Sequence, residues 1–340
     1  MQTFDVLTIG NAIVDIISQT DEATLARLKV QKSAMTLVDT DRALELYDAM
    51  GPAVEMSGGS AGNTVSGLVS LGGTGAYFGK VSNDELGRIF AHDIHALGVH
   101  FESAPLAGDP PTARSMIFVT PDGERSMNTY LGACTELTPE DIDPAIVAAA
   151  RVTYFEGYLW DQPSAKAAIV KAAQLAHEAG REVAMTLSDA FCVGRYRAEF
   201  LELMRSGKVD IVFANEAEAL SLYETQDFEE ALEKIGADTH RLAIVTRSEK
   251  GCVVVKGAER QAFPASRVER LLDTTGAGDL FASGFLRGYT AGLGHADCAA
   301  LGAIAAGHII EQIGPRPQRP LRDLPQAAAI LARIGERKDA

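Results

Sequence analysis

The sequence D-T-T-G-A-G-D at residues 273–279 joins two apolar segments and determines how the chain is interpreted. Residues 268–272 before it predict a short strand, and the apolar, small-residue segment after it predicts a buried helix. Gly276 and Gly278 at the join allow successive backbone N–H groups to point toward one place, and the helix start adds the positive end of its dipole. The stretch therefore predicts an anion-binding turn.

Asp279 at the end of this turn needs an explanation, because a carboxylate repels the anions that the turn would attract. One interpretation is a general base, which takes a proton from a hydroxyl group that attacks a phosphate held at the turn. The other is an ordinary acidic residue in the first turn of a helix, where such residues are favoured. The turn alone leaves both interpretations open.

Composition limits the classes of function. At 340 residues, the chain fits one large α/β domain with an accessory piece, or two domains, and its hydrophobic content of 46% is sufficient for a full core. The formal net charge of −15 argues against nucleic-acid and anionic-membrane partners, which select basic surfaces. We therefore expect a small-molecule partner, with a monomer and a homodimer equally compatible.

The cellular location is predicted from the cysteines and the first residues. Four cysteines lie far apart without metal-binding spacing, which suits a reduced cytoplasmic protein: Cys134, Cys192, Cys252 and Cys298. The N-terminal segment does not have the form of a signal peptide, and the apolar runs are too short to cross a bilayer. We expect a cytoplasmic protein.

The order of predicted elements indicates an α/β fold. From residue 142 onward, apolar strands alternate with helices, which predicts a mostly parallel central sheet with helices on both faces. Residues 12–40 and 103–131 break this alternation with extended segments and a hairpin, and they predict a small β-sheet lid over the strand ends. The large domain would then comprise residues 1–11, 41–102 and 132–340.

Residues 58–62 match the G-x-S-x-G pattern of a nucleophile elbow, which would make Ser60 the nucleophile of a serine hydrolase. Such an enzyme also needs a later acid and histidine, and the late candidates His295 and His308 both lie in helical segments. The alternative is that the glycines let a ligand approach the backbone while Asn63 offers its amide to a hydroxyl group.

Three other features, involving four residues, carry two interpretations each. Asn215 and Glu218 form a capping-box pattern, but Glu218 would also suit a Mg²⁺ ion bound through waters. Asp15 lies in an apolar run and either faces solvent, as lone charges usually do, or points into a site. Tyr158 follows a strand and either belongs to the core or stacks on a planar ligand.

Taken in order, these motifs resemble the ribokinase-like (PfkB) family of sugar and nucleoside kinases over essentially the whole chain, and within it the adenosine kinases. The resemblance implies a ribokinase-like fold and ATP-dependent transfer of the γ-phosphate to a hydroxymethyl group. It implies a purine nucleoside as acceptor, with adenosine converted to AMP, and leaves a sugar kinase for ribose or fructose as the alternative. The motifs that carry it are Gly10-Asn11 with Asp15, Gly58-Gly59 with Asn63, Asn215 with Glu218, and residues 273–279.

The same resemblance assigns roles to individual residues. It implies that Asp279 is the base and that Gly276, Ala277 and Gly278 form the anion hole. The acceptor would be bound by Asn11, Asp15, Gly58, Gly59, Asn63, Arg125 and Tyr158. ATP would be bound by Asn215, Thr246, Arg247, Gly251, Thr275, Gly276, Gly278, Ala303 and Gly307. Glu218 would serve Mg²⁺ through water, and Asp273 with Thr275 would hold a monovalent cation such as K⁺.

Departures from the family pattern bear on the acceptor. Residues 60–62 (S-A-G) and the apolar segment at residues 34–37 favour a nucleoside over a free sugar, whereas Trp160 and Asp161 have no interpretable counterpart. Outside the kinases, the alternatives are the hydrolase at Ser60 and a non-catalytic nucleotide-binding protein.

Overall fold

The computed structural model describes residues 3–336. The strands are β1 (Phe4–Ile9), β2 (Ile13–Gln19), β3 (Met35–Leu37), β4 (Ala53–Ser57), β5 (Gly75–Phe78), β6 (Ala113–Val119), β7 (Arg125–Tyr130), β8 (Ala150–Glu156), β9 (Glu182–Thr186), β10 (Ile211–Asn215), β11 (Leu242–Thr246), β12 (Cys252–Lys256) and β13 (Glu259–Phe263). The helices are α1 (Glu22–Arg27), α2 (Thr40–Ala49), α3 (Ser60–Ser70), α4 (Glu85–Ala96), α5 (Pro144–Ala149), α6 (Pro163–Glu178), α7 (Ala190–Arg205), α8 (Glu216–Tyr223), α9 (Phe228–Asp238), α10 (Ala277–Thr290), α11 (His295–Ile309) and α12 (Pro325–Glu336).

The larger sheet has eight strands in the order β13-β12-β11-β10-β9-β8-β1-β5. The strands from β11 to β5 run parallel, and β12 and β13 are antiparallel at one edge. Neighbouring residues of one strand enter opposite cores, as Val6 and Leu7 of β1 do. Both faces are covered by helices, which is why the parallel strands are mostly apolar, whereas the edge strand β13 is polar and exposed. The predicted α/β architecture is confirmed.

The second sheet has five strands in the order β3-β7-β6-β2-β4. Helices α1 and α2 cover one of its faces through a small core that includes Leu25, Leu46 and Phe118. Residues on the opposite face alternate with these along each strand, as the period of two requires. That opposite face looks toward the larger sheet.

The small sheet differs from the predicted ranges at β4. This strand lies between residues 41 and 102, which the sequence analysis assigned to the large domain, yet it pairs antiparallel with β2, with Val14 opposite Ser57. The small sheet therefore extends to Ser57. The pattern of β4 is too short to reveal a partner that lies so far back in the chain.

The predicted strand at residues 268–272 is wrong. The backbone N–H groups of Leu272 and Asp273 donate to the carbonyl oxygen of Ile310 at the end of α11, at 2.8 and 3.2 Å. These donors are satisfied by the end of a helix and have no strand partner, so the segment leads into α10 as irregular chain. Within residues 3–336, none of the helices combines the length and apolar character that crossing a bilayer requires.

Candidate active site

A cavity of about 450 Å³ lies between the carboxyl ends of the parallel strands and the uncovered face of the small sheet. The large sheet contributes residues at or just beyond its strand ends, which is where open α/β sheets bind ligands: Asn11, Glu156, Thr186, Asn215 and Thr246. The small sheet contributes residues of four strands: Ile13, Asp15, Met35, Leu37, Ser115, Arg125, Met127 and Thr129.

The turn at residues 273–279 forms one wall of this cavity and leads directly into α10. Gly276 is the N-cap of α10 in the left-handed conformation (φ +78°), and a Cβ there would lie 2.9 Å from that of Pro315. Only glycine suits this position, by conformation and by space. Gly278 lines the cavity, and no protein atom lies within 4 Å of where its Cβ would be. The Ala277 N–H donates to the Thr274 carbonyl oxygen at 3.2 Å, so the N–H groups of Gly276 and Gly278 are the ones in the predicted anion hole that remain available to a ligand.

Asp279 lies in the first turn of α10 and is held by the first turn of α3. The Ser60 hydroxyl donates to its Oδ1 at 2.6 Å, and Asn63 Nδ2 donates to its Oδ2 at 3.0 Å. Burial raises the pKa of Asp279, against the two hydrogen bonds and the charge of Arg316. The carboxylate is therefore oriented at the cavity wall with its basicity increased.

Ser60 has no partner that would activate it as a nucleophile. Its hydroxyl donates to a carboxylate, and among the described residues no histidine lines the cavity. The G-x-S-x-G match therefore reflects a strand-to-helix turn that brings Ser60 and Asn63 to Asp279. The hydrolase interpretation lacks the base that its chemistry needs.

Asp15 points into the site, contrary to the usual solvent exposure of a lone charge. It is 6% exposed, and burial raises its pKa to about 7, opposed by Arg125 and Arg316. Gly58 makes room for it, since a Cβ there would overlap the Asp15 carboxylate. Gly59 (φ +81°) is required for another reason, because a Cβ there would overlap the Asn11 carbonyl oxygen. Gly58 itself lies behind the cavity wall, not in its lining.

Glu156, at the end of β8, is a site residue that the sequence analysis missed. Its Oε1 accepts from the backbone N–H and the Nδ2 of Asn11 at 2.9 and 2.7 Å, and its Oε2 accepts from the Ala61 N–H at 2.8 Å. It is buried, and burial raises its pKa to about 7. The sequence feature that could have indicated it is an acidic residue at the end of an otherwise apolar strand. Glu156 joins Asn11 to the start of α3.

Asn215 and Glu218 form the predicted capping box and also line the cavity. Asn215 Oδ1 accepts from the Glu218 N–H at 2.9 Å, and Glu218 accepts from the N–H and Nδ2 of Asn215 at 3.0 and 2.6 Å. Burial raises the pKa of Glu218 to about 7. The same two side chains thus cap the helix and line the cavity, so the two interpretations of this motif are compatible.

The other predicted ATP residues divide into two groups. Thr246 and Thr275 line the cavity. The others lie outside its lining: Arg247, Gly251, Ala303 and Gly307. Arg247 pairs with Glu216 at 3.0 Å, and Gly251 (φ +86°) forms the tight turn before β12.

Asp273 is buried beneath the turn and does not line the cavity. Its Oδ2 accepts from Arg125 Nη2 and from the Gly314 N–H at 2.8 Å, and its Oδ1 accepts from the Thr275 N–H at 3.0 Å. A monovalent cation does not fit this carboxylate as it stands, because the guanidinium group of Arg125 already neutralises it. Arg125 also lines the cavity, where its Nε and Nη1 have no partner.

Tyr158 lines the cavity, and so do the apolar side chains of Met35, Leu37 and Leu131. Its hydroxyl donates to Asp189 at 3.0 Å. Asp161 also lines this end, but its carboxylate is paired with Arg195 at 2.8 Å and accepts from Tyr196.

Trp160 belongs to the core and donates to Glu199 at 2.7 Å. It therefore plays no part in the cavity lining. Within residues 3–336, His, Cys, Asp and Glu side chains form no group of three or more that could hold a metal ion by themselves.

Comparison with known proteins places this geometry in a family. The model of the pfkB family carbohydrate kinases matches residues 6–322. The solved structure of adenosine kinase from Sinorhizobium meliloti is 63% identical, with a TM-score of 0.92, over 97% of this chain and 99% of that one. A probable sugar kinase from Rhizobium etli is 62% identical, with a TM-score of 0.94, over 97% of this chain and 100% of that one.

A more distant relative also matches over most of the chain. The adenosine kinase of Saccharomyces cerevisiae is 27% identical over 335 residues, which are 92% of this chain and 96% of the yeast protein. The ribokinase-like fold and the family resemblance are confirmed. The chain therefore belongs to the pfkB family of carbohydrate kinases and is a phosphotransferase that acts on an alcohol group.

Proposed function

We propose that this kinase transfers the γ-phosphate of ATP to the 5′-hydroxyl group of adenosine, forming AMP. The observation that carries the proposal is the Asp279 carboxylate, oriented by Ser60 and Asn63 at the edge of the glycine turn. The adenosine kinases that the chain resembles along its length support adenosine as the acceptor.

Phosphoryl transfer needs positioning, neutralisation of charge and exclusion of water more than covalent assistance. Asp279 takes the proton of the acceptor hydroxyl as that oxygen attacks phosphorus. The N–H groups of Gly276 and Gly278 donate to the oxygens of the transferred group, while that of Ala277 holds the turn through the Thr274 carbonyl oxygen. Arg125 adds positive charge from the small sheet through its unpaired nitrogens.

The acceptor lies between the two sheets. Asn11, Asp15, Gly59 and Asn63 surround the position of a ribose, and they offer amide, carboxylate and backbone groups to its hydroxyls. Tyr158 and the apolar side chains at residues 35 and 37 form a wall suited to a flat, apolar base. A free sugar would leave this wall without a partner.

ATP fits on the other side of Asp279. Asn215, Thr246 and Thr275 face the cavity there, and Glu218 retains lone pairs beyond those that accept from Asn215. These would accept hydrogen bonds from the waters of a Mg²⁺ ion, which neutralises phosphate charge when bound.

The decisive variant is Asp279→Asn, which keeps the shape of the side chain and removes the base. We expect kcat to fall by about 10²- to 10⁴-fold, the usual contribution of a general base, with ATP binding retained. Asp323→Asn, an exposed acid, is the matched control. Turnover near the wild-type rate in Asp279→Asn would refute the role of the base.

The acceptor is tested by ADP release with adenosine, inosine, guanosine, ribose and fructose. We expect the highest kcat/KM with adenosine. A higher value with ribose or fructose would establish the sugar kinase, which the likeness to the Rhizobium etli protein supports. Absence of turnover with every acceptor would favour a binding protein.

We further propose that the protein works in the cytoplasm, as a monomer or a homodimer. The four cysteines are buried and free, which suits a reducing compartment. Size-exclusion chromatography with light scattering measures the oligomeric state, and cell fractionation tests the location.

A further inference from the structure

Arg316 is a buried arginine that none of the sequence motifs includes. It lies between Pro315 and Pro317 in the loop after α11 and is 7% exposed. The same loop packs against the glycine turn, since Pro315 contacts Gly276. Arginine is almost never fully buried without a specific partner. Its burial beneath the candidate active site therefore requires specific partners.

The guanidinium group of Arg316 contacts the segment that orients Asp279. Nη2 donates to the Gly58 carbonyl oxygen at 3.1 Å, and Nε donates to Asn63 Oδ1 at 3.4 Å. Gly62 leaves the room for it, since a Cβ there would lie 2.9 Å from Nη2. The group also lies over the Phe90 ring, 5.8 Å from its centre.

The contact with Asn63 determines which way its amide faces. An Asn side chain presents one acceptor and one donor, and Arg316 offers only donors. With Oδ1 turned toward Arg316, Nδ2 is turned toward Asp279, where it donates at 3.0 Å. The opposite orientation would set the amide nitrogen against the guanidinium and the amide oxygen against the carboxylate.

We propose that Arg316 is a positioning residue of this kinase, which holds the Asn63 amide toward Asp279 and places a positive charge behind that carboxylate. The inference rests on the proposed role of Asp279 as the base. Arg316 does not line the cavity, so it acts through Asn63 and through its charge.

The positive charge of Arg316 is important because several carboxylates lie close together in the site. Arg316 opposes the rise in the pKa of Asp279 and of Asp15 that burial causes. Without it, Asp279 would be protonated at a higher pH and lost as a base. The titratable and charged groups that interact with Asp279 are Asp15 on β2, Tyr154 and Glu156 on β8, Tyr158 after β8, Glu218 on α8 and Arg316 itself. Arg125 on β7 interacts with Asp15.

The test compares wild-type enzyme with Arg316→Gln and Arg316→Lys by kcat and KM across pH. For Arg316→Gln we expect kcat to fall by about tenfold or more, as when an outer partner of a site residue is removed, with a smaller change in KM for ATP. The acid limb of kcat should also move to higher pH. In Arg316→Lys the acid limb of kcat should return to its wild-type pH, because the positive charge is kept. Only part of kcat itself should be recovered, because one ammonium group cannot reproduce the two directed contacts.

Arg319→Gln provides the matched control, since Arg319 is exposed in the same loop. The inference is overturned if Arg316→Gln behaves like Arg319→Gln. It is also overturned if Arg316→Gln and Arg316→Lys lose the same activity at every pH with the acid limb unmoved, because that is the result of a purely structural role. If Asp279→Asn remains active, the proposed function fails; if only the Arg316 results fail, the proposed function stands.

Two further variants keep the test decisive if Arg316→Gln does not fold. Gly62→Ala leaves the charge and displaces the guanidinium, so kcat should fall, whereas Gly194→Ala in open space on α7 should not change it. In an Asn63→Ala background, Arg316→Lys should cost less than in wild type, because the contact it weakens is already gone. Equal costs in the two backgrounds, or an unchanged kcat in Gly62→Ala, would contradict the inference.

Discussion

At the scale of single residues, the site is a group of carboxylates that burial makes more basic. Asp15 and Glu156 have pKa values of about 7, and the pKa of Asp279 is also raised. Their hydrogen bonds differ, since Asp279 and Glu156 accept from named donors whereas Asp15 is offset mainly by the charges of Arg125 and Arg316. The burial of Asp15 is thus offset by nearby positive charge.

Removing the charge of Asp15 should stabilise the ligand-free protein. Burial raises the pKa of Asp15 from 3.8 to about 7, so the folded state binds a proton more tightly than the unfolded state. The ionised carboxylate therefore destabilises the folded state. This effect is absent at pH values below 3.8, grows as the pH rises from 3.8 to about 7, and is complete above about 7. We expect Asp15→Asn to raise the free energy of unfolding by on the order of 1 to 4 kcal/mol at pH above that value, with catalytic activity lost.

Urea denaturation of the two proteins at several pH values measures this difference. The gain should shrink as pH falls and vanish in acid. A gain of equal size at every pH would show that packing and not ionisation is responsible.

At the scale of elements, the decisive feature is how two helix starts meet. The first turn of α3 provides Ser60 and Asn63, and the first turn of α10 provides Asp279 and the free N–H groups. Both helices begin at glycines with positive φ, Gly59 and Gly276, because at both places the backbone must turn sharply into the first turn of the helix.

The two glycines of the anion turn should respond differently to alanine. Gly276→Ala places a Cβ against Pro315 in a strained conformation and should lower the free energy of unfolding by about 1 to 3 kcal/mol. Gly278→Ala meets no protein atom and should leave stability within about 0.5 kcal/mol, while kcat/KM for ATP falls because the Cβ enters the phosphate position.

Thermal or urea denaturation and steady-state kinetics separate the two effects. Each variant is the control for the other. Unchanged kinetics in Gly278→Ala would exclude this wall of the cavity as the phosphate site.

At the scale of the whole molecule, a buried ion pair joins the small sheet to the glycine turn before α10. Arg125 comes from β7 of the small sheet and Asp273 from the start of the glycine turn, and their side chains are 5% and 1% exposed. This pair joins the sheet that covers the acceptor to the turn that would hold the phosphate. Removing one charged side chain of the pair leaves the other as a buried charge without compensation.

Arg125→Met should therefore lower the free energy of unfolding by about 3 to 5 kcal/mol. Arg205→Met is the matched control: its ion pair with Asp238 is at the surface, with the Arg205 side chain 56% exposed, and it should cost less than about 1 kcal/mol. Adding Asp273→Asn to Arg125→Met should recover part of the loss. Equal costs for Arg125→Met and Arg205→Met, by urea denaturation, would show that the pair does not hold the sheets together.

The sequence by itself determined the alternation of strands and helices, the glycine turn at residues 273–279 and the order of the site motifs. These are local properties, because apolar periodicity, capping and turn chemistry act over a few neighbouring residues. Asn215 and Glu218 illustrate this, since their capping box involves residues only three positions apart. The family resemblance added roles that local patterns do not contain.

Only the tertiary structure decided that β4 joins the small sheet, that Asp15 is buried, and that Glu156 and Arg316 support the site. These are contacts between distant residues: Glu156 lies 145 positions from Asn11, and Arg316 lies 253 positions from Asn63. No local pattern specifies such partners, because any buried donor of suitable reach satisfies the same acceptor. The fold selects among them by which strand ends and helix starts it brings to the same edge of the sheet.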